Sequence, residues 1–245
     1  MFNSDVTFTL YHKSFSRMRN CIVFIFVLCF SAGNLFAQEI NQKDANGLRQ
    51  GVWKKKYPRS SQLRYEGQFK DNKEIGTFKF YCENCGTQPF CVKEFTGDGM
   101  SLVSYFTKEG ALVSKGKMKE KKRVGEWLTY HENSDTVMTR EFFSDGKLTD
   151  TKTVYTASGE VVETTSYVDG KKEGLSNYYA PRGILLKKVT YKNDLLHGPA
   201  VYYSAKGRIT MEGNYKEGVN HGIWKYYKEG RFLFEEVFPR PEDKN

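Results

Sequence analysis

Glu212-Gly-Asn-Tyr-Lys-Glu-Gly-Val-Asn-His-Gly-Ile-Trp-Lys-Tyr-Tyr-Lys-Glu-Gly230 holds both halves of a repeating unit and the turns that separate them. Its aromatic run, Trp224-Lys-Tyr-Tyr, fits a pleated, half-buried surface and loses rotamer freedom in a helix, so it reads as a strand. Glycines spaced this closely would break any helix long enough to be stable. At turns they supply the positive φ angles that tight hairpins need. Working outward, Tyr227 proves to be the last of seven tyrosines at nearly constant spacing: Tyr81, Tyr105, Tyr130, Tyr155, Tyr179, Tyr203 and Tyr227, in steps of 24 or 25 residues. A period in the twenties marks a repeated supersecondary unit whose apolar face is closed by its neighbours.

Aligned blocks begin at Gly51, Gly76, Met100, Gly125, Asp150, Gly174, Gly198 and Gly222. A large apolar residue follows two positions later in Trp53, Phe78, Leu102, Trp127 and Trp224, while Lys152, Ser176 and Ala200 take that place in units five to seven. Turn glycines come next, for example Gly110, Gly159 and Gly207. The second half of each unit carries a further anchor (Phe69, Phe95, Met118, Phe142, Tyr167, Tyr191, Tyr215) before a turn such as Asp145-Gly146 or Glu217-Gly218. Each unit reads as strand, turn, strand, turn, and the chain as an all-β antiparallel meander of about eight hairpins. Aromatics make up 15% of residues against an apolar fraction of 39%, so large rings must supply much of the buried area. The tyrosines are expected to form a packing spine, with a ladder partly exposed for binding as the alternative.

Tyr65-Glu-Gly-Gln-Phe-Lys-Asp-Asn-Lys-Glu-Ile-Gly-Thr-Phe-Lys-Phe-Tyr81 and its late copy beginning at Glu212 resemble MORN repeats of the bacterial variant type, over roughly residues 47–238. The sequence departs from the usual pattern where Trp, Phe or Ile follows the opening glycine, and where Met100 and Asp150 replace it. The resemblance implies an elongated, twisted, single-layer sheet used for scaffolding or binding rather than catalysis. Bacterial members are often labelled antitoxin-like, so an immunity or antitoxin role is a further alternative.

Residues 1–37 read as a signal peptide. A positive start at Met18-Arg19-Asn20 precedes the apolar run Cys21–Phe30, and Leu35-Phe36-Ala37 before Gln38 suits a signal peptidase. Met18 is an alternative start. The run is short for a membrane helix, which needs ~20 residues, and an uncleaved anchor is the rival reading. Residues 38–46 then form a tail, 47–238 the repeat domain, and 239–245 a C-terminal tail in which two prolines forbid further strand pairing. The expected location is the periplasm, the outer-membrane surface or outside the cell.

Export leaves Cys82, Cys85 and Cys91 in the hairpin of unit two. A closed zinc site needs four ligands and no fourth lies nearby. A disulfide between Cys82 and Cys91 across the hairpin is expected, with Cys85 as the alternative partner. His197 and His221 stand one unit apart, two strands or ~10 Å, too far to share a metal. Neither a phosphate loop, a Gly-x-Ser-x-Gly elbow nor a His-Glu-x-x-His motif occurs. The sequence therefore predicts no catalytic residue, no metal and no cofactor.

The formal charge is +9, and residues 1–37 contribute +2 of it, leaving about +7 on the remainder. Lys115, Lys117, Lys119 and Lys121 alternate along a strand and are expected to share one face. Such a face keeps a sheet soluble, or binds an anionic partner such as a lipid head group. Export argues against nucleic acid. The expected function is a non-enzymatic interaction scaffold of the cell envelope with an unidentified protein partner. The alternative is a binder of an anionic membrane surface or glycolipid.

Overall fold

The computed structural model describes residues 39–240. The expected signal peptide, and the tail beyond Arg240, lie outside the described residues. The first half of the sheet comprises β1 (Gln42–Lys43), β2 (Arg49–Lys56), β3 (Leu63–Lys70), β4 (Lys73–Phe80), β5 (Cys91–Phe95), β6 (Met100–Phe106), β7 (Leu112–Lys119) and β8 (Lys122–Tyr130). The second comprises β9 (Val137–Ser144), β10 (Lys147–Tyr155), β11 (Val161–Val168), β12 (Lys171–Ala180), β13 (Ile184–Lys192), β14 (Leu195–Tyr203), β15 (Ile209–Lys216), β16 (Val219–Lys228) and β17 (Arg231–Phe238). Each strand pairs antiparallel with the next in the chain, from β1–β2 to β16–β17, in one open sheet. The expected all-β meander is found, with β2–β17 as eight two-stranded units. One residue pair departs from the expected tail: Gln42 and Lys43 pair with Gln50 and Arg49, because Asn41 donates its N–H to the Val52 carbonyl and seats this stretch on the edge of β2.

Two kinds of turn alternate. Asp71-Asn72, Asp145-Gly146, Asp169-Gly170, Asn193-Asp194 and Glu217-Gly218 have positive φ at both central residues, the geometry that matches the twist of paired strands. Five of the other connections close on a hydroxyl, at Ser60, Thr107, Ser134, Thr156 and Ser204. Thr107 Oγ1 accepts from the Glu109 and Ala111 N–H groups, and Ser204 Oγ accepts from those of Lys206 and Arg208.

The opening glycines are bulges inside strands. At Gly125 (φ 63°) one step on β7, from Gly116 to Lys117, is matched by three on β8, from Trp127 to Val124. Asp150 adopts the same left-handed geometry at φ 58°. Met100 does not: Gly99, one residue earlier, carries φ 77°, and the β5–β6 register runs without a shift. Unit three is therefore offset by one. Val103 is buried at 1% exposure where Leu102 was expected, and Leu102 is 43% exposed on the other face.

The core is a single row of side chains crossing the sheet at one residue per strand. It runs from Trp53 through Gly67, Phe78, Lys93, Val103, Gly116, Trp127 and Glu141 to Lys152, then through Thr165, Ser176, Val189, Ala200, Gly213 and Trp224 to Glu236. Large rings lie over glycines of the preceding strand: Phe78 over Gly67, Trp127 over Gly116, Trp224 over Gly213. A ring laid flat on bare backbone hides both itself and the backbone, which is how a single layer buries Trp224 completely. Each indole N–H donates to a backbone carbonyl, Trp127 to Lys117 and Trp224 to Asn214, so burial leaves no donor unsatisfied.

Two apolar clusters grow on this row. Cys91, Val103 and Trp127 are joined by Phe80, Tyr105, Met118 and Phe143, so the unit-four anchor is Phe143 rather than the expected Phe142. Phe142 pairs with Glu126 on the opposite face, one pleat away. Val189, Ala200 and Trp224 are joined by tyrosines 178, 191, 202, 215 and 226. Between the clusters the row turns polar. Lys152 and Glu141 form an ion pair at 3.0 Å, and Ser176 donates to Thr165, which donates to Glu163.

Candidate functional site

The seven ladder tyrosines sit within one residue of the ends of the even-numbered strands β4 to β16. The register slips by one beside Tyr105, Tyr130, Tyr155, Tyr179, Tyr203 and Tyr227. Only Tyr81 is buried, at 6% exposure; the other six are half-buried. They flank the core row, and the most buried positions are two or three places earlier, at Phe78, Val103, Trp127, Ser176, Ala200 and Trp224. Tyr81 and Tyr227 donate to Glu66 (2.7 Å) and Glu212 (2.6 Å) on the preceding strand, the same bond made at each end of the array.

These bonds set a pH response. Burial, with Glu66 as acceptor, pushes the Tyr81 hydroxyl up to about 12, and burial likewise raises Tyr178 and Tyr202. A raised folded value stabilises the protein below the unfolded value, ~10 for tyrosine, and that contribution is lost as pH climbs through the folded one. Stability is therefore expected to fall between pH ~10 and ~12, with Tyr81→Phe removing this residue's share. Glu66 runs the other way. The Tyr81 hydroxyl, and after it Lys54, holds its carboxyl below the ordinary range, a contribution present at neutral pH and lost as pH falls through the folded value. Chemical unfolding across pH, with tyrosinate absorbance, checks both; a Tyr81→Phe curve superimposed on the parent would refute them.

The cysteine pairing differs from the expected one. Cys82 joins Cys85, and Cys91 is a free thiol, 3% exposed, in the first cluster. Cys91 lies opposite Phe80, so Cys82, two residues further into the loop, has no cross-strand position facing it. Burial pushes the Cys91 thiol up, which keeps it protonated and unreactive.

Lys115, Lys117 and Lys119 project from β7 on the face opposite Gly116 and Met118, all exposed. Lys121 does not belong to that column: Glu120, at φ 55°, turns the chain, and Lys121 sits in the hairpin. Directly beside the column are Met100, Leu102 and Ser104 on β6, and Lys122, Val124 and Leu128 on β8. No carboxylate pairs with these three lysines among the described residues, and Lys115 lies 5.7 Å from the Tyr130 ring. Leu102 and Val113 stand exposed on the same face, as do Leu175 and Ile223 further along.

His131 Nε2 lies 3.1 Å from the Tyr155 carbonyl, and His197 and His221 lie on β14 and β16. Among the described residues, no group of three or more His, Cys, Asp or Glu is placed to hold a metal ion. No described helix is long and apolar enough to cross a membrane.

The row of glycines beneath rings is the feature sequence reading missed. Its signal was present in the Glu-Gly pair shared by Tyr65-Glu-Gly and Met211-Glu-Gly. Such glycines look like turn residues until the register shows them under an aromatic side chain. No family model matches the chain, and no curated protein matches it either.

Proposed function

We propose that the chain is a non-enzymatic interaction scaffold, built from MORN-like hairpin repeats and exported to the cell envelope, that binds another protein across the face opposite its core row. The observation that carries this reading is the exposure of Leu102, Val113, Leu175 and Ile223 on that face. Apolar side chains held in solvent on one side of a rigid sheet favour being covered by a second surface. Native mature protein used as bait on envelope extracts is expected to recover one reproducible partner, lost when Leu102, Leu175 and Ile223 are replaced by Glu. Recovery of nothing, or a partner indifferent to these substitutions, overturns the proposal.

The unpaired lysines of β7, flanked by Leu102 and Val113, favour a second reading, a membrane surface bearing anionic lipid. Co-sedimentation with anionic vesicles is then expected to weaken as salt rises and to vanish when Lys115, Lys117 and Lys119 become Glu. Binding unaffected by either change eliminates this electrostatic mechanism.

A further inference from the structure

The sheet ends on β17, whose outer edge has no partner strand among the described residues. Phe232, Leu233, Phe234 and Val237 are 58%, 57%, 44% and 60% exposed, so this edge is apolar on both faces as well as open. Long exposed edges with apolar side chains take up another strand, through backbone hydrogen bonds and alternate side-chain contacts.

The interior of the sheet shows which strand fits. Trp127 of β8 pairs with Glu141 of β9, and the next strand, β10, answers with Lys152 at 3.0 Å. Trp224 of β16 pairs with Glu236 of β17 in the same row, and there the sheet stops. Glu236 thus repeats the position of Glu141 without a following strand. A cation already stands beside it: Arg240, from the chain's own tail, donates Nη2 to both carboxylate oxygens at 3.3–3.4 Å. On the other face Glu235 pairs with Lys225 on its inner side only, whereas Glu66 has Lys54 and Lys79 on either side. The edge therefore presents one acid to each face of an incoming strand.

Two other occupants are disfavoured by the same geometry. A second copy docking through β2 would meet an edge that residues 41–43 already cover. Antiparallel pairing of β17 with its own copy, in the register centred on Glu235 or on Glu236, would set that carboxylate against its equivalent, and like charges set opposite each other destabilise a sheet.

We infer that the edge of β17 is a docking strand for an extended, lysine-bearing segment of a partner protein, with the lysine meeting Glu236 as Lys152 meets Glu141. This rests on the scaffold reading but uses the edge rather than the face, so the two fail separately.

The probe is a synthetic peptide with the β10 sequence, Lys147–Tyr155. A second version carries Thr153→Lys to meet Glu235, and a third carries Lys152→Glu. Titration of labelled peptide into the full chain is expected to show saturable binding that weakens with salt, tightens with Thr153→Lys, and is lost with Lys152→Glu. Glu236→Gln in the protein should weaken binding about tenfold, and Glu236→Lys should abolish it, with circular dichroism confirming that each variant folds. Hydrogen exchange should slow at residues 232–237. Absence of binding, indifference to both Glu236 variants, protection at another strand, or slowed exchange at β17 on self-association without peptide each overturns the inference. A partner captured by the opposite face would stand regardless of that outcome.

Discussion

Gly213→Val is expected to destabilise the protein by about 3 kcal/mol or more, read as a lowered urea midpoint, although the residue is a glycine in a half-exposed strand. A Cβ at this position would collide with the face of the Trp224 ring, and the ring cannot retreat: it is 0% exposed, its N–H is held by the Asn214 carbonyl, and Tyr215 packs edge-on at 4.9 Å. Trp224→Ala alone should cost about 3–5 kcal/mol by opening the second cluster. The double variant should cost at least ~1 kcal/mol less than the two added, because removing the ring makes room for the valine. Additive costs would mean that the glycine is selected for something other than the ring above it. Gly67 makes the same arrangement under Phe78, where a Cβ would lie 2.5 Å from ring carbons, and should respond alike.

Lys152→Met is expected to cost about 1–3 kcal/mol by leaving the Glu141 carboxylate, with its side chain 16% exposed, without its cation. Pairing it with Glu141→Leu should return stability to the parent value or raise it by about 1 kcal/mol, since an apolar pair of similar volume avoids desolvating two charges. The contrast identifies the ion pair as a device of specificity. In a repeat array every hairpin resembles the next, and a paired charge at one place in the row penalises a chain that pairs one unit out of step. A neutral Lys152→Met, by guanidinium unfolding, would refute this account.

The strand–turn alternation and the number of units were legible because glycine spacing and aromatic content act locally, through backbone dihedrals and rotamers. Burial was less legible because it depends on register. The tyrosine period was read as a spine, yet the row that disappears from solvent is offset by two or three residues and includes Thr165 and Ser176, which carry no hydrophobic signal. Likewise β5 and β6 pair without the bulge found beside Gly125, and Val103 rather than Leu102 takes the row position. The lysine column of β7 was readable from simple alternation; Lys121 was misplaced because the hairpin begins one residue earlier. The cysteine pairing was not readable, since it depends on how far the loop after Phe80 departs from the ladder. The edge chemistry of β17 emerges only when Glu236 is set beside Glu141 in one row.

Strand order in this sheet is chain order, and that governs how the molecule is made. Every hairpin closes over a short stretch of chain, so contact order is low for an all-β protein and little loop entropy is lost before contacts form. Each unit can settle on the one before it as synthesis delivers it, without waiting for a distant segment. Among the described strands β17 joins last in such an order, and its outer edge is left without a partner.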